Sequence, residues 1–220
     1  MVAGALLRRP AGDRGAVGVA LVPLPSPPSR RPLGRGGRRS APARRGAEAE
    51  AVAAVHRGAA LTGAAATVGA VLAALPDAGL VHLAAHGRLS AENPLFSDIE
   101  LADGPLMVYD VERLPRVPHT LVLAACDSGR PVVRTGDELM GLGVAFLARG
   151  AAQLVASVLP VPDATTRPLM VAFHEGLAAG RSPAAALAEA QAALRRADPE
   201  AAAAAAGFVC IGAGIDPLFA

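Results

Sequence analysis

The sequence predicts an α/β fold with a mainly parallel central sheet and helices on both faces. Three continuous apolar runs are typical of strands that are buried on both sides, namely 79–85, 120–125 and 153–158. Segments with helical spacing of apolar residues lie between and after these runs, at 137–148, 165–178 and 183–195. Strands that alternate with helices in this way favour parallel pairing, because each helix carries the chain back across the sheet.

Local signals predict the other elements. A short apolar run predicts a first strand at 16–22, and the segments 48–56 and 65–75 predict helices. Asp103 and Gly104 stand between the runs 99–101 and 106–109, which predicts a small hairpin. Ser182 is a good N-cap for the last helix, and a closing strand is expected at 208–211.

The composition indicates one domain with a basic N-terminal arm. The chain has 220 residues, of which 52% are hydrophobic and 3% aromatic, and all 21 basic residues are arginine. Residues 1–57 carry eleven arginines against three acidic residues, whereas 58–220 carry an excess of acids. We therefore predict an arm at 1–57, containing the strand at 16–22 and a disordered Pro/Arg/Gly tract at 23–45. The domain itself is predicted over 58–220.

Several functional classes are disfavoured by the same data. The arginines of the arm have no interleaved aromatic residues, which argues against nucleic-acid binding. We expect no membrane span, since the charge-free segment 58–76 has the spacing of an amphipathic helix. Two cysteines provide no disulfide framework, which is consistent with the cytoplasm. His82 and His86 lack a third ligand nearby, so no metal is expected. No glycine motif lies between a strand and a helix, so no dinucleotide or other cofactor is expected.

Two reactive side chains follow apolar runs that we expect to lie side by side in the sheet. His86 follows the run 79–85, and Cys126 follows the run 120–125. Because functional residues in such sheets gather at the carboxyl ends of strands, the imidazole and the thiol are candidates for a catalytic pair. The alternative is that Cys126 is a small core residue and that His86 only bonds a loop. His119 and His174 are interpreted as isolated, solvated or loop-bonded histidines, and Cys210 as inert core.

Several blocks of the sequence resemble, in order, the motifs of the CHAT domain. This domain is a relative of the caspase-like (clan CD) cysteine peptidases and often accompanies tetratricopeptide repeats. The blocks are 81–87 (VHLAAHG), 92–97 (ENPLFS), 99–104 (IELADG), 121–129 (LVLAACDSG), 136–139 (GDEL), 155–158 (VASV) and 208–212 (FVCIG). The resemblance implies a caspase-like three-layer sandwich and a catalytic dyad of His86 and Cys126.

The resemblance further implies a cysteine endopeptidase that acts on a protein or peptide substrate. The backbone N–H groups of Gly87 and Cys126 are expected to form the oxyanion hole. A tetratricopeptide-repeat or other sensor protein is the expected partner, although no 34-residue repeat is visible in this sequence. The alternatives are a non-catalytic interaction module with the same fold and a truncated, inactive fragment. The tract 23–45 and the absence of a tryptophan after Ala156 depart from the family's pattern.

Acidic residues suggest the specificity of such an enzyme. The first substrate pocket of caspase-like enzymes lies beside the cysteine and the loop after the next strand. That region of this sequence contains four acids: Asp127, Asp137, Glu138 and Asp163. They predict a preference for Arg or Lys before the scissile bond, with Asp163 at the pocket floor. Alternatively, Arg130, Arg134 and Arg167 neutralise these acids, and Asp163 caps the helix that follows it.

Overall fold

The computed structural model describes residues 17–23, 44–88, 97–124, 140–159, 161, 163–198, 201–202 and 205–215. Within these residues, nine strands and six α-helices are assigned. The strands are β1 (Gly18–Pro23), β2 (Ala59–Thr62), β3 (Ala78–Ala84), β4 (His86–Arg88), β5 (Asp98–Glu100), β6 (Pro105–Met107), β7 (Thr120–Leu123), β8 (Gln153–Ser157) and β9 (Phe208–Gly212). The helices are α1 (Arg44–His56), α2 (Val68–Ala74), α3 (Val108–Glu112), α4 (Met140–Ala148), α5 (Asp163–Ala178) and α6 (Pro183–Ala197).

The central sheet has the strand order β2-β1-β3-β7-β8-β9 in the described part of the chain. β3, β7 and β8 are parallel neighbours, whereas β1 is antiparallel to β2 and β3, and β9 is antiparallel to β8. Four of these six strands, β2, β3, β7 and β8, therefore run in one direction. The predicted α/β fold with a mainly parallel central sheet is confirmed, and its layers are consistent with a caspase-like sandwich.

Side chains alternate between the two faces of the sheet. Val81 and Leu83 of β3 pack in one core with α2, α3 and α4, whereas Leu80 packs in a second core with α5 and α6. Helix α1 covers the second face beside α5, over Ala20 of β1. Every residue of β3 is buried, as expected for a strand between two helical layers.

Residues before the predicted boundary at 57 contribute to this sheet. β1 lies between β2 and β3, and α1 packs on β1. The contact is close at Gly18, where a Cβ atom would lie 2.5 Å from the carbonyl oxygen of Arg45. A glycine lets the helix approach the strand at this point. Most of the predicted Pro/Arg/Gly tract, residues 24–43, lies outside the described residues.

The predicted hairpin and N-cap are present. β5 and β6 pair antiparallel, and the N–H of Leu101 donates to the carbonyl of Gly104 over 2.9 Å. The Ser182 hydroxyl accepts a hydrogen bond from the Ala185 N–H over 3.4 Å at the start of α6. The strand predicted at 106–109 is partly wrong, because α3 begins at Val108. The Asp110 carboxylate accepts the Met107 N–H over 2.9 Å and so stabilises the start of this short helix.

Three features of the fold were not predicted. β2 adds an edge strand next to β1, β4 begins a second sheet with β5 and β6, and α3 follows that sheet directly. These elements have three to five residues each, which is too short for a clear periodic pattern. Within the described residues, no helix combines the length and the apolar character needed to span a membrane.

Candidate active site

The two strands that precede the predicted dyad are adjacent. β3 and β7 pair in parallel, with Leu80 opposite Thr120 and Leu83 opposite Leu123. The Ala124 N–H then donates to the Leu83 carbonyl over 3.0 Å and continues the ladder beyond β7. The predicted adjacency of the runs 79–85 and 120–125 is therefore confirmed.

His86 lies where the chain leaves the central sheet. β3 ends at Ala84, the chain bends at Ala85, and His86 is the first residue of β4. Opposite His86 on β5 is Glu100, and opposite Gly87 is Ile99. Both His86 and Gly87 are half-buried. The second sheet thus holds these two residues just past the carboxyl end of β3.

The structure describes the other predicted site residues only in part or not at all. Cys126, Asp127, Asp137 and Glu138 lie outside the described residues. Asp163 is the first residue of α5, and only its backbone is described. Helix α5 follows β8, which is the parallel neighbour of β7, so Asp163 follows the strand next to the one that precedes Cys126.

Cys210 is a free thiol in β9, as predicted from the closing strand. It is half-buried, and burial raises the pKa of its thiol. A raised pKa lowers the fraction of reactive thiolate at neutral pH. Cys210 is therefore a poor nucleophile.

Sequence reasoning missed a hydrogen-bonded series of four side chains, which lies on the face of β3 that α1 and α5 cover. His82 Nε2 lies 2.9 Å from Glu48 Oε1, and His82 Nδ1 lies 3.1 Å from His174 Nε2. His174 Nδ1 in turn lies 2.9 Å from His56 Nε2. The interpretation of His174 as an isolated, solvated or loop-bonded residue is wrong, because its ring is fully buried and bonded at both nitrogens. His119, by contrast, is exposed and bonds the Thr120 hydroxyl.

One signal for this series of hydrogen-bonded side chains was visible in the sequence. His82 is a polar residue inside an otherwise apolar strand, and a buried imidazole requires hydrogen-bond partners. Its partners come from α1 and α5, which are separated from it by 34 and 92 residues. The sequence therefore indicated that a partner was needed, but not which residue provides it.

Comparison with known families agrees with the sheet topology. The family model of the CHAT domain matches residues 29–213, well over half of the chain. The chain belongs to the CHAT domain family. This family is related to the caspase-like cysteine peptidases, and its members often occur together with tetratricopeptide repeats, which supports a protein partner in general terms. A search of curated proteins finds no match to this CHAT domain.

Proposed function

We propose that this CHAT domain is a cysteine endopeptidase with His86 and Cys126 as its catalytic dyad. The observation that carries the proposal is the parallel register of β3 and β7 in a chain of this family. His86 and Cys126 each follow the paired residues Leu83 and Leu123 by three positions. Neighbouring strands lie about 5 Å apart, so two residues that follow the same register pair start from adjacent points of the sheet edge.

The distance along the chain is compatible with a pair. Ala124 is still hydrogen-bonded to Leu83, and two further residues span at most about 7 Å when extended. This short span supports the proposed pairing of Cys126 with His86. Catalytic contacts in uncomplexed enzymes are often loose, and a sulfur–nitrogen separation within roughly 7 Å is expected.

The proposed reaction proceeds in two halves. The Cys126 thiolate attacks the peptide carbonyl carbon, and the resulting oxyanion accepts hydrogen bonds from the backbone N–H groups of Gly87 and Cys126. The C–N bond then breaks, and the His86 imidazolium donates its proton to the departing amine. His86 next takes a proton from water, the hydroxide oxygen attacks the thioester carbon, and the C–S bond breaks to release the carboxylic acid and the thiolate.

A thiol-directed, peptide-based probe tests the dyad. The unaltered chain should be labelled at Cys126 much faster than at Cys210, whose raised pKa provides an internal reference. His86→Ala should slow labelling of Cys126 by about 10²–10⁴-fold, the usual contribution of general acid–base catalysis. Cys210→Ser is the matched control and should leave the rate unchanged. Equal labelling of both cysteines would instead support a non-catalytic interaction module or an inactive fragment.

The substrate preference is a second part of the proposal. We infer that Asp127, Asp137, Glu138 and Asp163 provide an acidic pocket for Arg or Lys before the scissile bond, with Asp163 at its floor. Support comes from the chain order, because Asp163 follows β8, which pairs with β7 in parallel. A carboxylate binds a guanidinium through two parallel hydrogen bonds.

Asp163→Asn separates this role from a role in the helix. Asp163 is the first residue of α5 and not the N-cap before it, so the variant should lose only a favourable charge at the helix N-terminus, about 0.3–1 kcal/mol, and should remain folded. Cleavage of three matched peptides with Arg, Asp or Leu before the scissile bond gives the readout. Asp163→Asn should lower kcat/KM for the Arg peptide alone. An equal decrease for all three peptides, or no preference for Arg in the unaltered chain, would refute the acidic pocket.

A further inference from the structure

The buried chain Glu48–His82–His174–His56, which we call the histidine chain, connects solvent to a carboxylate beneath α1. Both of its ends are on α1, eight residues apart, which corresponds to about 12 Å along a helix. Its middle members come from β3 and α5. Glu48 is 3% exposed, His82 and His174 are 0% exposed, and His56 is half-buried. The His56 ring is thus the most accessible point of the chain.

Each of the three links joins two atoms that share one proton. The links are Glu48 Oε1 to His82 Nε2, His82 Nδ1 to His174 Nε2, and His174 Nδ1 to His56 Nε2. If Glu48 is ionised, three neutral histidines satisfy every link by donating from Nε2 toward the carboxylate. If Glu48 is protonated, the same links are satisfied with every donor reversed. Both arrangements keep all three imidazoles neutral.

We propose that the histidine chain is a proton relay that makes the charge of buried Glu48 follow the pH of the solvent. A solvent proton adds to Nδ1 of His56, and the Nε2 proton of His56 passes to Nδ1 of His174. The Nε2 proton of His174 passes to Nδ1 of His82, and that of His82 passes to Oε1 of Glu48. One proton enters, Glu48 becomes neutral, and each imidazole changes from its Nε2–H to its Nδ1–H form. A rise in pH reverses the same steps.

Burial favours a neutral ring at two positions of this path. Burial, and then repulsion from a charged His82, lowers the pKa of His56 to about 4. Burial, followed by repulsion from charged His82 and His56, lowers the pKa of His174 well below its ordinary value. A relay that leaves His82 neutral avoids this repulsion. The rings of His174 and its two neighbours meet edge to face at centroid distances of 5.1 Å, and their nitrogens are in direct hydrogen-bond contact. Transfer from ring to ring therefore costs less than holding a charge on a buried ring.

Arg45 is the buried arginine on the described elements around Glu48. It is buried on α1 one turn before Glu48, and this spacing places the two residues on the same helix face. The strands β1 and β2 have no titratable side chains. Outside the histidine chain, the other described titratable side chains on α1 and α5 are half-buried or exposed, and they are Glu50, Arg167 and Glu175. Protonation of Glu48 removes its negative charge from the helix face that it shares with Arg45.

Nitrogen-15 NMR of the histidine-labelled full chain tests the relay, because it distinguishes Nε2–H, Nδ1–H and cationic imidazoles. Near neutral pH, the three relay histidines should all be Nε2–H. Acid should convert them together to Nδ1–H with one common midpoint and no imidazolium signal. His56→Gln retains a hydrogen-bond partner for His174 in both forms, because its amide can donate or accept, but it cannot pass a proton. It should therefore slow the interconversion of the two forms of His174 and His82, as measured by nitrogen-15 relaxation dispersion. His119→Gln is the matched control and should leave it unchanged.

Two results would overturn the relay. One is separate titration of the three histidines to imidazolium in the unaltered chain, which decides the matter even if His56→Gln does not fold. The other is an unchanged rate of interconversion of His174 and His82 in folded His56→Gln.

Discussion

Acid should destabilise this CHAT domain between pH 7 and pH 4 through the histidines of the relay. His56 has an ordinary pKa of about 6.5 in the unfolded chain and a pKa of about 4 in the folded chain. The folded state therefore binds fewer protons than the unfolded state in this range. The stabilisation from a neutral His56 is fully present above pH 6.5, decreases as the pH falls, and is lost by about pH 4.

The magnitude follows from the linkage of these two pKa values. At pH 5, a shift of this size corresponds to about 2 kcal/mol of lost unfolding free energy for one histidine. Because the His56 ring is partly exposed and screened by solvent, we expect about 1 kcal/mol from it. His174 adds a loss in the same direction, since its pKa is also lowered in the fold. This loss of unfolding free energy persists when the relay places one proton on Glu48. The folded chain then gains one proton through the relay, whereas the unfolded chain takes up protons on both His56 and His174.

Urea unfolding at pH 7, 6 and 5 measures this effect. Far-UV circular dichroism is the suitable probe, because the chain has no tryptophan. The midpoint should fall by about 0.5 M or more from pH 7 to pH 5, given a typical dependence on urea of about 2 kcal/mol/M. His56→Gln should reduce this decrease of the midpoint, whereas His119→Gln, at an exposed position, should leave it unchanged. A midpoint that is the same at pH 7 and pH 5 would refute the argument.

Three packing predictions test the fold around these sites. Gly18→Ala places a methyl group 2.5 Å from the Arg45 carbonyl oxygen and should lower stability by about 1–3 kcal/mol, whereas Gly69→Ala on α2 enters open space and should not destabilise the chain. Phe173→Ala, at a fully buried position of α5, should cost about 3–5 kcal/mol in urea unfolding. Ser182→Ala should cost about 1 kcal/mol through loss of the N-cap of α6. A cost below about 0.3 kcal/mol for any of the three destabilising variants would show that its contact is not made in solution.

The sequence predicted the features that depend on local patterns. The buried runs around β3, β7 and β8 are continuous and apolar, and they form the parallel centre of the sheet. The motifs around His86 and Cys126 carried the resemblance that the family match confirms. The short strand β4 and the short helix α3 were missed, because tertiary contacts rather than local propensity determine elements of three to five residues.

The histidine chain could not be predicted from the sequence for a different reason. Its hydrogen bonds join residues 34, 92 and 118 positions apart. No local pattern specifies which helix covers His82, because that depends on how α1 and α5 pack on the same face of the sheet. A buried polar residue in an apolar strand shows only that hydrogen-bond partners must exist.

The position of His82 links the relay to the candidate active site. His82 is in β3, and His86 follows four residues later, just after the strand ends at Ala84. The histidine chain lies on the face covered by α1 and α5, whereas Val81 and Leu83 anchor the strand in the opposite core. The ladder between β3 and β7 leads toward both His86 and Cys126. A movement shared by both strands would preserve their relative register, and only a movement of β3 alone would change the spacing of the proposed dyad.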